Sequence, residues 1–235
     1  MKSIFIKELK SYFYTAIGYV FLGVYLLIYA GFFILYNVWG DNADIGTLLD
    51  NTVVVFVILI PVLTMRLFAD EKHSGNCKIY LSAPLTNSQI VLGKYFAACT
   101  VFLMSQAVTL ISGIIMVVCG GQTVMEIVAV LVGYILVGMS FAAIGVFVSA
   151  LTDNQIICAI ISFASCLALY LSDMLLSLVG GTVFEKAVEF ISLTKHYQNF
   201  TVGIFDGVAA LYFISFSALF VVLTILALES ERCGK

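Results

Sequence analysis

Charge is what this sequence has least of. Only 11% of its 235 residues are Asp, Glu, Lys or Arg, while 62% are hydrophobic; a soluble domain carries about 25% charged residues. That is too little polar surface for a water-exposed globule, so lipid is the solvent for most of the chain, and a soluble enzyme is excluded. Proline occurs only twice, and no Pro-, Gly- or Ser-rich linker divides the chain. We read residues 1–235 as a single membrane domain. Histidine is equally scarce. His73 and His196 both fall outside the apolar runs, which argues against haem held by membrane histidines and against an intramembrane serine protease. Gly138-Met139-Ser140 is followed by Phe141 where a nucleophile motif needs Gly, so Ser140 reads as a small packing residue. The six cysteines form no C-x-x-C pair and read as small apolar packing residues. No phosphate-binding G-x-x-x-x-G-K-[ST] run exists, and Gly93-Lys94-Tyr95 lacks both the first Gly and the Ser/Thr. The chain therefore carries no catalytic, cofactor or metal set of its own. Its net charge of -3 gives no reason to expect nucleic acid.

What the sequence does have is long uncharged runs. Roughly 20 apolar residues cross the hydrocarbon of a bilayer, and backbone satisfaction makes such runs helices. Six spans are expected, at about 16–39, 48–68, 91–120, 127–151, 154–178 and 208–228, giving an all-α integral membrane protein. The first apolar run is too long for a signal peptide and is expected to stay as span one. Pro61 should kink the second span. Gly133, Gly138 and Gly145 mark points of close helix approach. With six spans, one face receives Lys2, Lys7, Lys10, Arg66, Lys72, Lys78, Lys94, Arg232 and Lys235, and the other only Lys186 and Lys195. That asymmetry places both termini in the cytoplasm. Asp41, Asp44 and Asp50 lack the spacing of a calcium loop and read as a solvated outer loop.

Two segments should lie along the membrane. In 1–15, Phe5, Leu9, Tyr12 and Phe13 follow helical spacing with Lys7, Lys10 and Ser11 elsewhere, the pattern of an interfacial helix. In 183–203, Phe184, Ala187, Val188 and Ile191 stand opposite Glu185, Glu189 and His196. Asp173 is the carboxylate expected at membrane depth. It is either a hydrated group near the outer interface or a polar group lining a substrate path.

The loop between spans two and three is the informative stretch. Asp70 and Glu71 open it, Gly75, Asn76 and Lys78 follow, Tyr80 and Leu81 form a short apolar run, and Pro84 stops any helix near Ala83. Segment 69–85 reads as an ordinary connection or as a docking helix for a soluble partner.

Here the chain resembles the membrane subunits of type-2 ATP-binding-cassette exporters, in particular the short gliding-motility-type permeases. The resemblance rests on Lys7-Glu8-Leu9-Lys10-Ser11-Tyr12-Phe13, on Pro61 with Leu63-Thr64-Met65-Arg66, and on Gly93-Lys94. It continues through Ser149-Ala150-Leu151-Thr152 with Asn154-Gln155 and ends at Leu226-Ala227-Leu228-Glu229. It implies a coupling helix in 69–85 that docks on a separate ATPase subunit, which holds the ATP and magnesium. It also implies a second permease copy, a bacterial cytoplasmic membrane, and room for an accessory subunit with an extracytoplasmic domain. One departure is Gly75-Asn76-Cys77-Lys78 where the family favours Gly-Thr-x-Glu. The reversed charge at Lys78 implies a compensating acidic or neutral surface on the partner. The competing reading is a membrane scaffold of an ATP-driven envelope complex that translocates nothing.

Overall fold

The computed structural model describes residues 1–39, 44–73, 86–118, 121–172 and 192–233. Ten α-helices are described: α1 (Lys2–Tyr14), α2 (Ala16–Phe33, extended by a widened π turn Ile34–Val38), α3 (Ile45–Thr64), α4 (Arg66–His73), α5 (Asn87–Ser105), α6 (Ala107–Val118), α7 (Val124–Leu151), α8 (Gln155–Tyr170), α9 (Leu193–Thr201) and α10 (Gly207–Cys233). No strand occurs among the described residues. Among the described residues five stretches are long and apolar enough to cross a membrane: Ala16–Val38, Ile45–Asp70, Asn87–Val118, Val124–Leu151 and Gly207–Ser230. α8 has 16 residues, about 24 Å of helix, and is shorter than a bilayer requires. Of the expected span 154–178, residues 173–178 lie outside the described residues.

α7 is the hub, packing against α3, α10, α8, α9 and α5. Its sequence explains the role. Small and apolar residues alternate around its whole circumference, so it buries every side, as a helix that is hydrophobic all round must. Gly133, Gly138 and Gly145 lie where Phe200, Phe102 and Thr64 approach, and a methyl group at any of them would collide with that neighbour. Thr123 starts α7 with a reciprocal cap: its hydroxyl accepts from the Glu126 amide, and the Glu126 carboxylate accepts from the Thr123 amide. Asp44 starts α3, accepting from the amides of Gly46 and Thr47 and from Gln122 Nε2 at 2.6 Å.

Several expectations are refined. The third span starts at Asn87 and breaks at Gln106, whose amide bonds to Leu103 O rather than continuing the α-ladder. The helix containing Pro61 is interrupted at Met65, four residues later, and resumes as α4. α1 packs the expected Phe5, Leu9 and Phe13 partly buried against the core and buries Tyr12 fully, together with Ile4 and Glu8, the last facing Lys94. Of segment 183–203, residues 183–191 lie outside the described residues. The part described, α9, sinks Leu193, Tyr197 and Phe200 into the bundle against α7 and α3. His196 is helical and stacks on Tyr212 of α10, centroids 4.0 Å apart. Cys99, Cys158 and Cys166 are buried free thiols.

Candidate functional site at the base of the bundle

One end of the bundle, called the base below, gathers α1, α4, the start of α5 and the α7–α8 turn. Its centre is Lys94, which has 0% exposure inside an apolar protein. Such a charge is tolerated only with close partners. Lys94 Nζ donates to the Leu67 carbonyl, lies 3.6 Å from Glu8 Oε1, and sits 4.5 Å over the Phe68 ring. Glu8 reaches it because α1 packs directly on α5, with Ile4 pressed against Gly93 where no side chain intervenes. One turn along α1, Tyr12 Oη donates to Leu63 O at 2.9 Å. Burial first, and then the Glu8 carboxylate, hold the Tyr12 phenol well above the ordinary tyrosine value.

The other side of α4 is held by α7 and α8. Ser149 Oγ accepts from the amides of Phe68 (3.0 Å) and Ala69 (3.3 Å) and donates to Met65 O. A hydroxyl from a neighbouring helix thus serves the amides freed by the Met65 break, as a capping side chain would. Lys72 Nζ donates to Ala150 O and lies 3.9 Å from Asp153. Asp70 accepts from Arg66 Nε at 2.6 Å and from Gln155 Nε2. A cleft of about 120 Å³ remains between α1 and α4, lined by Lys7, Glu8, Ser11, Tyr12, Arg66 and Asp70.

α4 is therefore held on one side by Lys94 of α5, which Glu8 of α1 supports in turn, and on the other by α7 and the start of α8. It continues directly from α3 and leads into the segment after His73. Of the residues singled out from sequence for partner contact, Asp70 lies within this knot and Glu71 follows it in α4. Gly75, Asn76, Lys78, Tyr80, Leu81 and Pro84 lie outside the described residues, as does Asp173.

Sequence reading missed two groupings. The first is the Glu8–Lys94 pair, whose two halves were noticed in separate stretches and never joined. The second is a buried polar cluster at the Gln106 break. Tyr25 Oη donates to Gln106 Oε1 at 3.0 Å and meets Tyr134 Oη at 3.2 Å, while Tyr29 Oη meets Ser112 Oγ. The available signal was Gln106, the single amide side chain between Tyr95 and Val118. Among the described residues no group of three or more His, Cys, Asp or Glu is placed to hold a metal ion.

Four separate stretches meet in this knot: 7–13, 63–66, 93–94 and 149–155. No curated protein matches the chain. Comparison with family profiles matches residues 13–230 to the one described as "ABC-2 family transporter protein", which covers nearly the whole chain and all the spans above. The chain belongs to this ABC-2 family: it is a multi-pass membrane protein of the permease kind that pairs with an ATP-binding-cassette ATPase subunit.

Proposed function

We propose that the chain is the permease of an exporter, worked by an ATPase subunit that docks on segment 69–85. The observation that carries the reading is the knot around α4. A helix with no lateral grip would swing freely when its far end was pulled. α4 is instead bonded to α5, α7 and the start of α8 through Lys94, Ser149, Lys72 and Asp70, and Lys94 carries the link on to Glu8 of α1. Force applied beyond His73 reaches these elements together and tips them between two packings. The work comes from ATP and magnesium held by the partner, whose contacts with the docking segment differ between its open and closed states.

In this reading α8 and the residues after it complete a sixth crossing, and both termini face the cytoplasm of a bacterial cell. The nine-to-two distribution of Lys and Arg supports that orientation. α1 braces the inner surface, and a second permease copy completes the translocation path. An accessory subunit with an extracytoplasmic domain is compatible with the same arrangement.

The test is co-expression with the ATPase of the same complex. Asp70→Lys with Glu71→Lys should abolish co-purification and stimulated hydrolysis while the permease still inserts. Unchanged assembly and hydrolysis would refute docking at this segment. Intact assembly with no substrate-stimulated hydrolysis in liposomes would favour the scaffold role instead.

A further inference from the structure

A second set of polar groups lies at the opposite end of the bundle. Asp50, expected just inside the start of the second span and beside the acidic outer loop, sits within α3, a turn and a half past its Asp44 cap. Its carboxylate lines a small crevice with Tyr170 at the end of α8, Thr194 and Tyr197 on α9, and Val137 and Phe141 on α7. No salt bridge to Asp50 is present among the described residues. Tyr197 is 2% exposed, and its hydroxyl has no hydrogen-bond partner among the described residues. A buried phenol with no partner among the described residues is unfavourable unless something else occupies the space beside it, and the neighbouring Asp50 is exposed, so its carboxylate is open to a ligand. Burial first and then the Asp50 charge raise the Tyr197 phenol well above its ordinary value.

The crevice has room for about 10 Å³, one water-sized group. Among the described residues no Lys or Arg lines it, so an anion there would face the Asp50 carboxylate with no cation beside it. Along α3 the residues four, eight and twelve positions on from Asp50 are Val54, Ile58 and Val62, all apolar and exposed, at 37%, 56% and 37%. Fourfold spacing keeps them on one side of the helix. A carboxylate thus heads an apolar stripe that faces outward.

We propose that this crevice receives the ammonium head of a cationic amphiphile, held by the Asp50 carboxylate and the Tyr197 hydroxyl oxygen, with its tail lying along Val54, Ile58 and Val62. The proposal rests on the permease reading and names the class of cargo.

The probe is dodecylamine, titrated by calorimetry into the purified full chain in nanodiscs, with dodecanol as the uncharged control and sodium chloride as competitor. Dodecylamine should bind saturably. Asp50→Asn should weaken it about tenfold or more, the loss of one charged contact. Tyr197→Phe should weaken it less, Asp50→Glu should retain part of the affinity, and dodecanol should not distinguish the variants. The proposal is overturned if Asp50→Asn binds dodecylamine as the wild type does at an unchanged melting temperature. It is also overturned if sodium displaces the amine at equal or tighter affinity, which would make the site one for inorganic cations. Should Asp50→Asn fail to fold, Tyr197→Phe and Asp50→Glu carry the same decision. Hydrolysis by the complex with its ATPase separates the two readings. Asp50-dependent binding without stimulation leaves the crevice standing and refutes transport of this class; stimulation unaffected by Asp50→Asn refutes the crevice.

Discussion

At the residue scale, the buried Lys94 is the costliest group in the bundle, and its partners make it tolerable. Removing one member of a buried ion pair leaves the other charge uncompensated, at a cost of about 3 kcal/mol or more. Lys94→Ala should therefore lower the thermal stability of the purified protein sharply, because Glu8 stays behind at 8% exposure. Lys94→Met combined with Glu8→Gln should recover much of the loss. Equal melting temperatures for the single and double variants would show that the pair carries no coupling. Tyr12 gives a pH signature. Its raised folded pKa means that its contribution is complete below the unfolded value of 10.0 and is lost as pH rises above it. Wild type should lose stability more steeply than Tyr12→Phe between about pH 10 and 11.5, a range in which free tyrosine ionises. Parallel curves would contradict that assignment.

At the element scale, helix ends decide as much as helix faces. The reciprocal cap at Thr123 and Glu126 fixes where the hub helix starts, so Thr123→Ala should cost about 1 kcal/mol in a reversible unfolding assay. Ser149→Ala should cost at least as much, since two amides of α4 lose their acceptor together. It should also reduce ATPase stimulation, whereas Thr123→Ala should leave stimulation unchanged. Identical effects on stimulation would mean that α4 is only packed, not coupled. The apolar runs made the long helices readable, because lipid imposes length and internal hydrogen bonding on them. The finer choices were not readable in that way. Glu8 joins Ile4 and Tyr12 on the deepest line of α1, and only the packing of α1 on α5 reveals its partner. α9 was expected to rest on a surface, yet Gly133 leaves a place for Phe200 inside. Periodicity shows which face is apolar, not what lies across from it.

At the scale of the whole molecule, the bundle has two polar ends joined by an apolar hub. The base binds α4 to its neighbours through charged and hydroxyl groups. The far end holds a carboxylate with no salt bridge and a phenol with no hydrogen bond among the described residues. The stretches carrying the family resemblance were visible along the chain, but their convergence was not, since residues 8, 94 and 149 meet only after three helices have packed. The central claim is that a motor grips the chain just beyond this convergence. It is tested most directly by placing a photo-crosslinking amino acid at Tyr80 in the native complex and irradiating before solubilisation. The account predicts a covalent adduct with a nucleotide-hydrolysing subunit, and none when the same group replaces Tyr36 near the end of the first span. An adduct from position 36 with none from position 80 would contradict it.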